Sequence, residues 1–225
     1  MQYLSWNEEK IQDFSATNIE EMYERGFVFT RLGKGIMQQT RSFRIDLDKF
    51  ILSSENRRIL KKVPDLQISF NNLPLENYNY SIGKLAKDFY EIKFGQNIMS
   101  AQKVKEMLTD GEKSNFNTLI SFGDVTHPGL GYTIAYISPS IIHYSYPFYD
   151  LDHSPKDIGL AMMIKTLEHA KSNGIKYVYL GSLQRSNDTY KLQFSNGQWF
   201  DGKKWNDNID EVKLILKELE NDSSK

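Results

Sequence analysis

Tyr149-Asp150-Leu151-Asp152 begins the stretch of sequence that decides the fold of this chain. This aromatic and acidic turn leads into a long amphipathic helix, predicted from about Pro155 to Ser172. Gly174 ends that helix before the strand Tyr177-Val178-Tyr179-Leu180-Gly181. A unit of strand, turn, helix and strand is one way in which α/β proteins form a cleft. The sequence therefore predicts a mixed α/β fold with a cleft beside this unit.

The composition excludes several kinds of active site. The chain has 225 residues and no cysteine, so it has no disulfide, no thiolate-held zinc or iron–sulfur cluster and no cysteine nucleophile. Any nucleophilic catalysis by this chain then uses an oxygen or nitrogen atom. No two of the four histidines stand at ligand spacing on one helix, and only His153, beside Asp150 and Asp152, lies near the predicted cleft. We expect neither a metal nor another cofactor.

Length and charge limit the domain organisation, the location and the partners that this chain can have. The hydrophobic share of 40% allows a substantial core, and we expect one folded unit over residues 1–225, with possible lobes 1–115 and 116–225. No apolar run approaches the roughly 18 residues that span a membrane, and residues 1–10 lack the pattern of a signal peptide. We therefore expect a cytoplasmic protein. The net charge of −1 provides no global attraction for nucleic acid, so an RNA partner requires a local basic patch.

Hydrophobic spacing and turn residues predict the other elements. Helices are predicted at about 18–25, after a Thr17 to Glu20 capping box, and at 54–62, 82–94, 101–108 and 209–219. Strands are predicted at 27–31, 41–50, 66–70, 118–122, 131–137 and 141–146. In the helix 82–94 we place Leu85, Phe89 and Ile92 on the buried face. The strands from 118 onward are expected to form an antiparallel meander.

The second helix supplies the local basic patch. It places four cations on neighbouring faces, at spacings of one, three and four residues: Arg57, Arg58, Lys61 and Lys62. That arrangement suits the phosphates of a nucleic acid. A solvated surface of a helix has the same pattern, so both interpretations stay open.

Several of these segments, in this order, resemble the C-terminal region of the arginyl-tRNA and leucyl-tRNA protein transferases. The segments are Glu24-Arg25-Gly26-Phe27, Arg41 to Ile45, Ser53 to Arg58, Tyr149 to Asp152, Tyr179-Leu180-Gly181 and Tyr190-Lys191. The resemblance implies the GNAT fold, in which a mostly antiparallel sheet is flanked by helices and two strands splay apart. It also implies transfer of an amino acid from a charged tRNA to the N-terminal amine of a protein or peptide.

Two segments depart from the pattern of that family. Family members carry a cysteine-rich segment where this chain has Gly35 to Thr40, so the corresponding metal or cluster site is absent. After Gly181 the family continues with aromatic residues, whereas this chain has Ser182-Leu183-Gln184-Arg185. We therefore expect the preference for amino acid or acceptor to differ.

The resemblance also assigns roles to individual residues. Asp150, or else Asp152, is expected to hold the acceptor ammonium or accept its proton, with Tyr179 and Tyr190 as catalytic hydroxyls. Lys191 is expected to orient a phosphate or ester oxygen of the tRNA. The alternative is structural, with the two carboxylates capping the long helix and both tyrosines half-buried in the fold.

Two other functions compete with this one. A GNAT acetyltransferase binds the pyrophosphate of acetyl-CoA with a glycine-rich turn at the start of a helix. Here the segment His153 to Gly159 has one glycine and places Asp157 where a phosphate would lie. The third possibility is a catalytically silent module of the same fold that binds RNA or peptide.

Overall fold

The computed structural model describes residues 4–223, with side chains described as far as residue 219. Its strands are β1 Asn7–Lys10, β2 Phe27–Phe29, β3 Ile36–Gln39, β4 Ser42–Asp46, β5 Gln67–Asn72, β6 Thr118–Gly123, β7 Gly131–Ile137, β8 Ile141–Tyr149, β9 Tyr177–Ser182, β10 Gly197–Phe200 and β11 Trp205–Asn206. Its helices are α1 Ala16–Glu24, α2 Ser54–Leu60, α3 Tyr80–Phe94, α4 Ala101–Thr109, α5 Ile158–Ser172 and α6 Ile209–Ser223. A 3-10 helix, Ser186–Gln193, follows β9.

Eight strands form the main sheet, in the order β11-β10-β4-β9-β8-β7-β6-β5. Strands from both halves of the chain pair in it, and a separate sheet has the order β1-β3-β2. Among the pairs in the main sheet, β8 and β9 are parallel, and the others are antiparallel. A mostly antiparallel sheet with helices on it and one parallel pair confirms the predicted mixed α/β, GNAT-like fold class.

Helices cover both faces of this sheet. On one face α2, α5 and α6 contribute Ile59, Met162 and Leu216 to a core shared with the sheet. On the other face α1, α3 and α4 build a second core, together with the small sheet. Each core buries aliphatic and aromatic side chains completely, and this burial is the main source of stability.

A bulge in β8 changes which face its side chains occupy. The register shifts between the pairs Ile134 with Tyr146 and Ala135 with Tyr144, which leaves Ser145 as an extra residue in β8. Before the bulge, Tyr144 belongs to the core on the α5 side. After it, Tyr146 packs against the opposite core. Because side chains alternate along a strand, one extra residue exchanges the two faces.

Helix ends differ from the prediction where another side chain provides the cap. In α1, Ser15 rather than Thr17 is the N-cap, and its hydroxyl accepts a hydrogen bond from the amide of Asn18. In α2, Ser53 and Asn56 form a reciprocal capping box, which confirms the predicted start. Helix α5 begins later than predicted, after Asp157, whose φ of 71° lies in the left-handed region.

Some elements were not predicted at all. Strands β1, β3, β10 and β11 and the 3-10 helix are short and carry no clear alternation. In α3 the predicted buried position Ile92 is wrong, since its side chain is 70% exposed. The buried stripe runs instead through Gly83, Ala86 and Tyr90, together with the predicted Phe89.

Within residues 4–223, no helix is both long enough and apolar enough to cross a membrane.

Candidate active site

The two parallel strands of the main sheet separate at one end. Strands β8 and β9 pair only from Ile141 with Tyr177 to His143 with Tyr179, although both continue beyond that point. The bulge at Ser145 lies two residues after His143. The separated strand ends lie next to the start of α5, where Gly159 meets Tyr149, and next to the 3-10 helix, where Lys191 meets Gly181. We interpret the space between these elements as an opening. We take this opening as the candidate active site.

Three tyrosines surround the opening. The side chain of Tyr190, on the 3-10 helix, is 43% exposed, and its phenol interacts electrostatically with those of Tyr144 and Tyr149 on β8. Burial raises the pKa of Tyr144 and of Tyr149 above the ordinary value for tyrosine. Both phenols are therefore neutral hydrogen-bond donors at neutral pH.

Gly159 brings the start of α5 close to Tyr149. A Cβ atom on Gly159 would lie 3.0 Å from the Cε1 atom of Tyr149, so a larger residue would push the ring away. Asp157, two residues before Gly159, is also fixed, because it forms an ion pair of 2.5 Å with Lys62 at the end of α2. A carboxylate therefore stands at the N-terminus of α5, where a bound phosphate would need positive charge.

Lys191 lies beside Tyr190 at the same end of β9. Its ammonium donates a hydrogen bond of 2.7 Å to the carbonyl oxygen of Ser182 and forms an ion pair of 3.3 Å with Asp188. The nitrogen lies 5.6 Å from the centre of the Tyr190 ring. The structure thus brings these two predicted site residues together, with Lys191 almost fully buried and held by its partners.

Asp150 lies on the rim and organises the turn after β8. One carboxylate oxygen accepts hydrogen bonds from the amides of Asp152 and His153, at 2.8 and 2.9 Å, and the other lies 3.0 Å from Nδ1 of His153. Burial, the largest single influence, favours a higher pKa, but the hydrogen bonds from His153 and Asp152 together lower the pKa of Asp150. The Asp152 side chain is exposed. Helix α5 has no side-chain cap, so neither aspartate caps it.

Tyr179 occupies a different environment. Its side chain is buried in the core on the α1 side of the sheet, with its ring 4.9 Å from that of Tyr23. Its hydroxyl accepts a hydrogen bond of 3.1 Å from Nη1 of Arg44. Burial is the main cause of its raised pKa. No hydrogen bond or ring contact links Tyr179 with Asp150 or Tyr190 in the described part of the chain.

Arg44 is the centre of a polar cluster that the sequence did not indicate as special. Its guanidinium lies between the rings of Tyr177 and Trp205, 3.9 and 4.0 Å from their centres. It also pairs with Glu24 at 2.6 Å and donates to Gln198. Alternation of apolar and polar residues along β4 favours an exposed position for Arg44, but its face of the strand is covered by aromatic residues and only 3% of Arg44 is exposed.

A second buried polar pair lies next to this cluster. The hydroxyl of Tyr23 is 2.8 Å from Nδ1 of His143, the last residue of β8 that pairs with β9. Burial lowers the pKa of His143 to about 3. The imidazole is therefore neutral at physiological pH and serves as a hydrogen-bond partner in the core.

The predicted basic patch on α2 is exposed but already has internal partners. Arg57 donates to the carbonyl oxygen of Leu52, Arg58 pairs with Glu55, and Lys62 pairs with Asp157. Beside Arg57 an open groove of about 870 Å³ lies between α2 and the C-terminal half of α5. Its lining includes Ile51, Leu52, Lys165, His169 and Lys171. From α5, Lys165 and Lys171 add positive charge to this groove, and Glu168 adds a negative charge.

Among residues 4–223 no three His, Asp or Glu side chains are grouped so that they could hold a metal ion.

No family model matches this chain. A segment of 147 residues, 62% of the chain, is 28% identical to the aspartate/glutamate leucyltransferase of Leptospira interrogans and covers 54% of that protein. A segment of 85 residues, 37% of the chain, is 28% identical to the protein of the same name from Stenotrophomonas maltophilia and covers 34% of it. The chain is therefore similar to leucyltransferases over about half of their length or less.

Solved structures show a broader likeness. L-PGS from Bacillus licheniformis has a TM-score of 0.48 and 12% identity, covering 91% of this chain and 70% of that structure. A GCN5-related glucosamine N-acetyltransferase region of a fungal GH3 β-N-acetylglucosaminidase has a TM-score of 0.43 and 10% identity, covering 85% of this chain and 23% of that structure. At these scores the likeness carries no argument about function.

Proposed function

We propose that this protein is an aminoacyl-tRNA-dependent transferase that adds an amino acid to the N-terminal amine of a protein or peptide. The observation that carries the proposal is the opening between β8 and β9, where Tyr190 and Lys191 lie together at the end of β9. The similarity to proteins named aspartate/glutamate leucyltransferase supports it. That name makes a leucyl donor and an acceptor beginning with aspartate or glutamate the first pair to test.

The reaction requires an amine and an activated carbonyl in contact. The acceptor nitrogen attacks the carbonyl carbon of the aminoacyl ester, the new C–N bond forms, and the bond to the ribose oxygen of the tRNA breaks. The acceptor ammonium first loses one proton to water. The neutral amine gives up a second proton as the C–N bond forms, and the ribose oxygen gains one. Tyr190 is the partly exposed hydroxyl at the opening and is placed to serve that oxygen. Charged tRNA is the co-substrate, and no further cofactor enters this scheme.

The surrounding charges suit the two substrates. Asp150 and Asp152 place carboxylates at the rim, and the lowered pKa of Asp150 keeps it anionic, which favours binding of the acceptor ammonium over proton abstraction. Lys191, held by Asp188 and the carbonyl oxygen of Ser182, contributes positive charge beside the opening. The tRNA backbone contacts the four cations of the basic patch, Arg57, Arg58, Lys61 and Lys62. Lys62 also fixes the start of α5 through its ion pair with Asp157. In this scheme Tyr179 has a structural role, because its hydrogen bond with Arg44 fixes β9 next to the opening.

A donor assay tests the proposal. The purified protein is incubated with radiolabelled aminoacyl-tRNAs, one amino acid at a time, together with peptides that differ in their N-terminal residue. Label should pass from at least one charged tRNA to a peptide amine. Replacement of Tyr190 by Phe should lower the rate by ~10²-fold or more, whereas Tyr80→Phe, at a more exposed tyrosine on α3, should not. Use of acetyl-CoA without use of any charged tRNA would overturn the proposal.

A further inference from the structure

Two buried hydroxyls lie next to the point where β8 and β9 separate. Tyr144 is the first residue of β8 beyond its last pair with β9, and Thr133 lies on the adjacent strand β7, opposite Pro147. Both side chains are almost completely buried, at 1% and 0% exposure. Gly131, two residues before Thr133, faces Met162 of α5, so Thr133 and Tyr144 share the α5 side of the sheet.

Neither hydroxyl has a regular hydrogen-bond partner within residues 4–223. The two groups lie near enough for Thr133 to influence the ionisation of Tyr144, but the geometry of a full hydrogen bond between them is not met. A buried hydroxyl without a partner destabilises the folded state. Two such groups on one face beside a functional opening therefore call for a ligand that completes them.

The surroundings favour a particular kind of ligand atom. Tyr144 and Thr133 are neutral, and each offers one O–H donor. The groups nearest in the opening are further phenols, of Tyr149 and Tyr190, rather than carboxylates. An oxygen that carries partial or full negative charge fits two converging donors, whereas an ammonium group would require a carboxylate.

We infer that the hydroxyls of Tyr144 and Thr133 bind the carbonyl oxygen of an ester or amide substrate, and that they stabilise this oxygen when it becomes an oxyanion. The inference rests on the proposed function, in which that carbonyl belongs to the aminoacyl ester. Both hydroxyls keep their protons throughout, because they act as hydrogen-bond donors only. Tyr190 borders the site from the 3-10 helix.

Stability and activity change in opposite directions under this inference. The variants Tyr144→Phe and Thr133→Val remove one unpartnered hydroxyl each and keep the shape of the side chain. Each variant should melt at the same temperature as the wild type or higher. The turnover number should fall by ~10-fold or more, and the affinity for tRNA should stay within about twofold. Tyr78→Phe is the matched control, because its hydroxyl is also buried without a partner but lies beside α3.

Equal turnover in wild type, Tyr144→Phe and Thr133→Val would overturn the inference. If Tyr144→Phe does not fold, Thr133→Val decides. Failure of the proposed function is distinguishable, because the wild type would then transfer no amino acid at all. In that case calorimetric titration with leucine methyl ester tests the site directly. Binding by the wild type that is at least ~10-fold weaker in both variants supports the inference. Equal binding in all three proteins, or no binding by the wild type, overturns it.

Discussion

The hydroxyl of Tyr179 accepts a hydrogen bond of 3.1 Å from Nη1 of Arg44, in the core on the side of the sheet opposite Tyr144. Arg44 is itself held by Glu24 and by two aromatic rings. Tyr179 is also the residue after which β9 leaves β8. The pair therefore anchors the point from which the opening begins.

Replacing Tyr179 by Phe tests whether this hydroxyl is structural. The change removes one hydrogen bond to a charged group, so the free energy of unfolding should fall by about 1.5–3 kcal/mol. The transfer rate should change by less than about threefold, because the hydroxyl does not contact the opening. Urea denaturation and the transfer assay measure the two effects. Tyr136→Phe, on the same core, is the control for loss of a phenol. A rate loss of ~10²-fold at unchanged stability would restore the catalytic role that the sequence suggested.

Asp150 offers a test of acceptor binding. Asn at this position keeps an oxygen for the amides of Asp152 and His153 but loses the negative charge. If Asp150 holds the acceptor ammonium, the KM for the peptide should rise by ~10-fold with a small change in kcat. Asp124→Asn is a matched control, because Asp124 accepts the amides of Thr126 and His127 in the same manner. A ~10²-fold loss in kcat at constant KM would instead identify Asp150 as the general base.

The basic helix α2 is tested with the variant Arg57→Gln, Arg58→Gln, Lys61→Gln, which keeps the ion pair of Lys62 with Asp157. Binding of charged tRNA should weaken, and the slope of log Kd against log salt should fall by about 2 to 3, because binding with fewer phosphate contacts releases fewer counterions from the tRNA. The same exchange at Lys84, Lys87 and Lys93, exposed on α3, is the control. Equal affinity and equal slope in both triple variants would identify α2 as a solvated surface.

His143 makes stability depend on pH. Its pKa in the folded protein is lowered to about 3, whereas the unfolded chain has a value near ~6.5. The unfolded state therefore binds a proton first as the pH falls, and stability is lost between about pH 6.5 and pH 3. Between pH 7 and pH 5 the loss from this group should be about 2 kcal/mol.

Urea denaturation of the wild type and of His143→Gln at both pH values measures this loss. The Gln variant should lose about 2 kcal/mol less between pH 7 and pH 5 than the wild type. The control His127→Gln, at a histidine exposed to solvent, should follow the wild type. An identical pH dependence in all three proteins would show that His143 does not remain neutral in the core.

Much of the fold follows from local patterns in the sequence. The strands β6, β7 and β8 alternate clearly, and α5 has a continuous apolar stripe ended by Gly174, so they were predicted close to their observed bounds. The strands β10 and β11 were missed because they are short, and β10 is fixed by pairing with the distant strand β4. Such pairing is set by tertiary contacts that spacing along the chain does not encode.

The candidate site was less predictable for the same reason. Tyr190 and Lys191 are neighbours in sequence and stay together, whereas Tyr179 and Asp150 depend on the path of two strands. The bulge at Ser145, which decides the face that Tyr144 occupies, has no signal in the residues around it. The polar character of Arg44 indicated exposure, and only the packing of Tyr177 and Trp205 shows its burial.

The mass of the peptide product shows whether a charged tRNA donates its amino acid to a peptide amine. A peptide with N-terminal glutamate is incubated with the protein and leucyl-tRNA, then analysed by mass spectrometry with fragment sequencing. We expect a product that is longer by one leucyl residue at its N-terminus. The assay is then repeated with a wider panel of charged tRNAs and N-terminal residues. An unchanged peptide in every combination, or a product acetylated from acetyl-CoA, would overturn the proposed function.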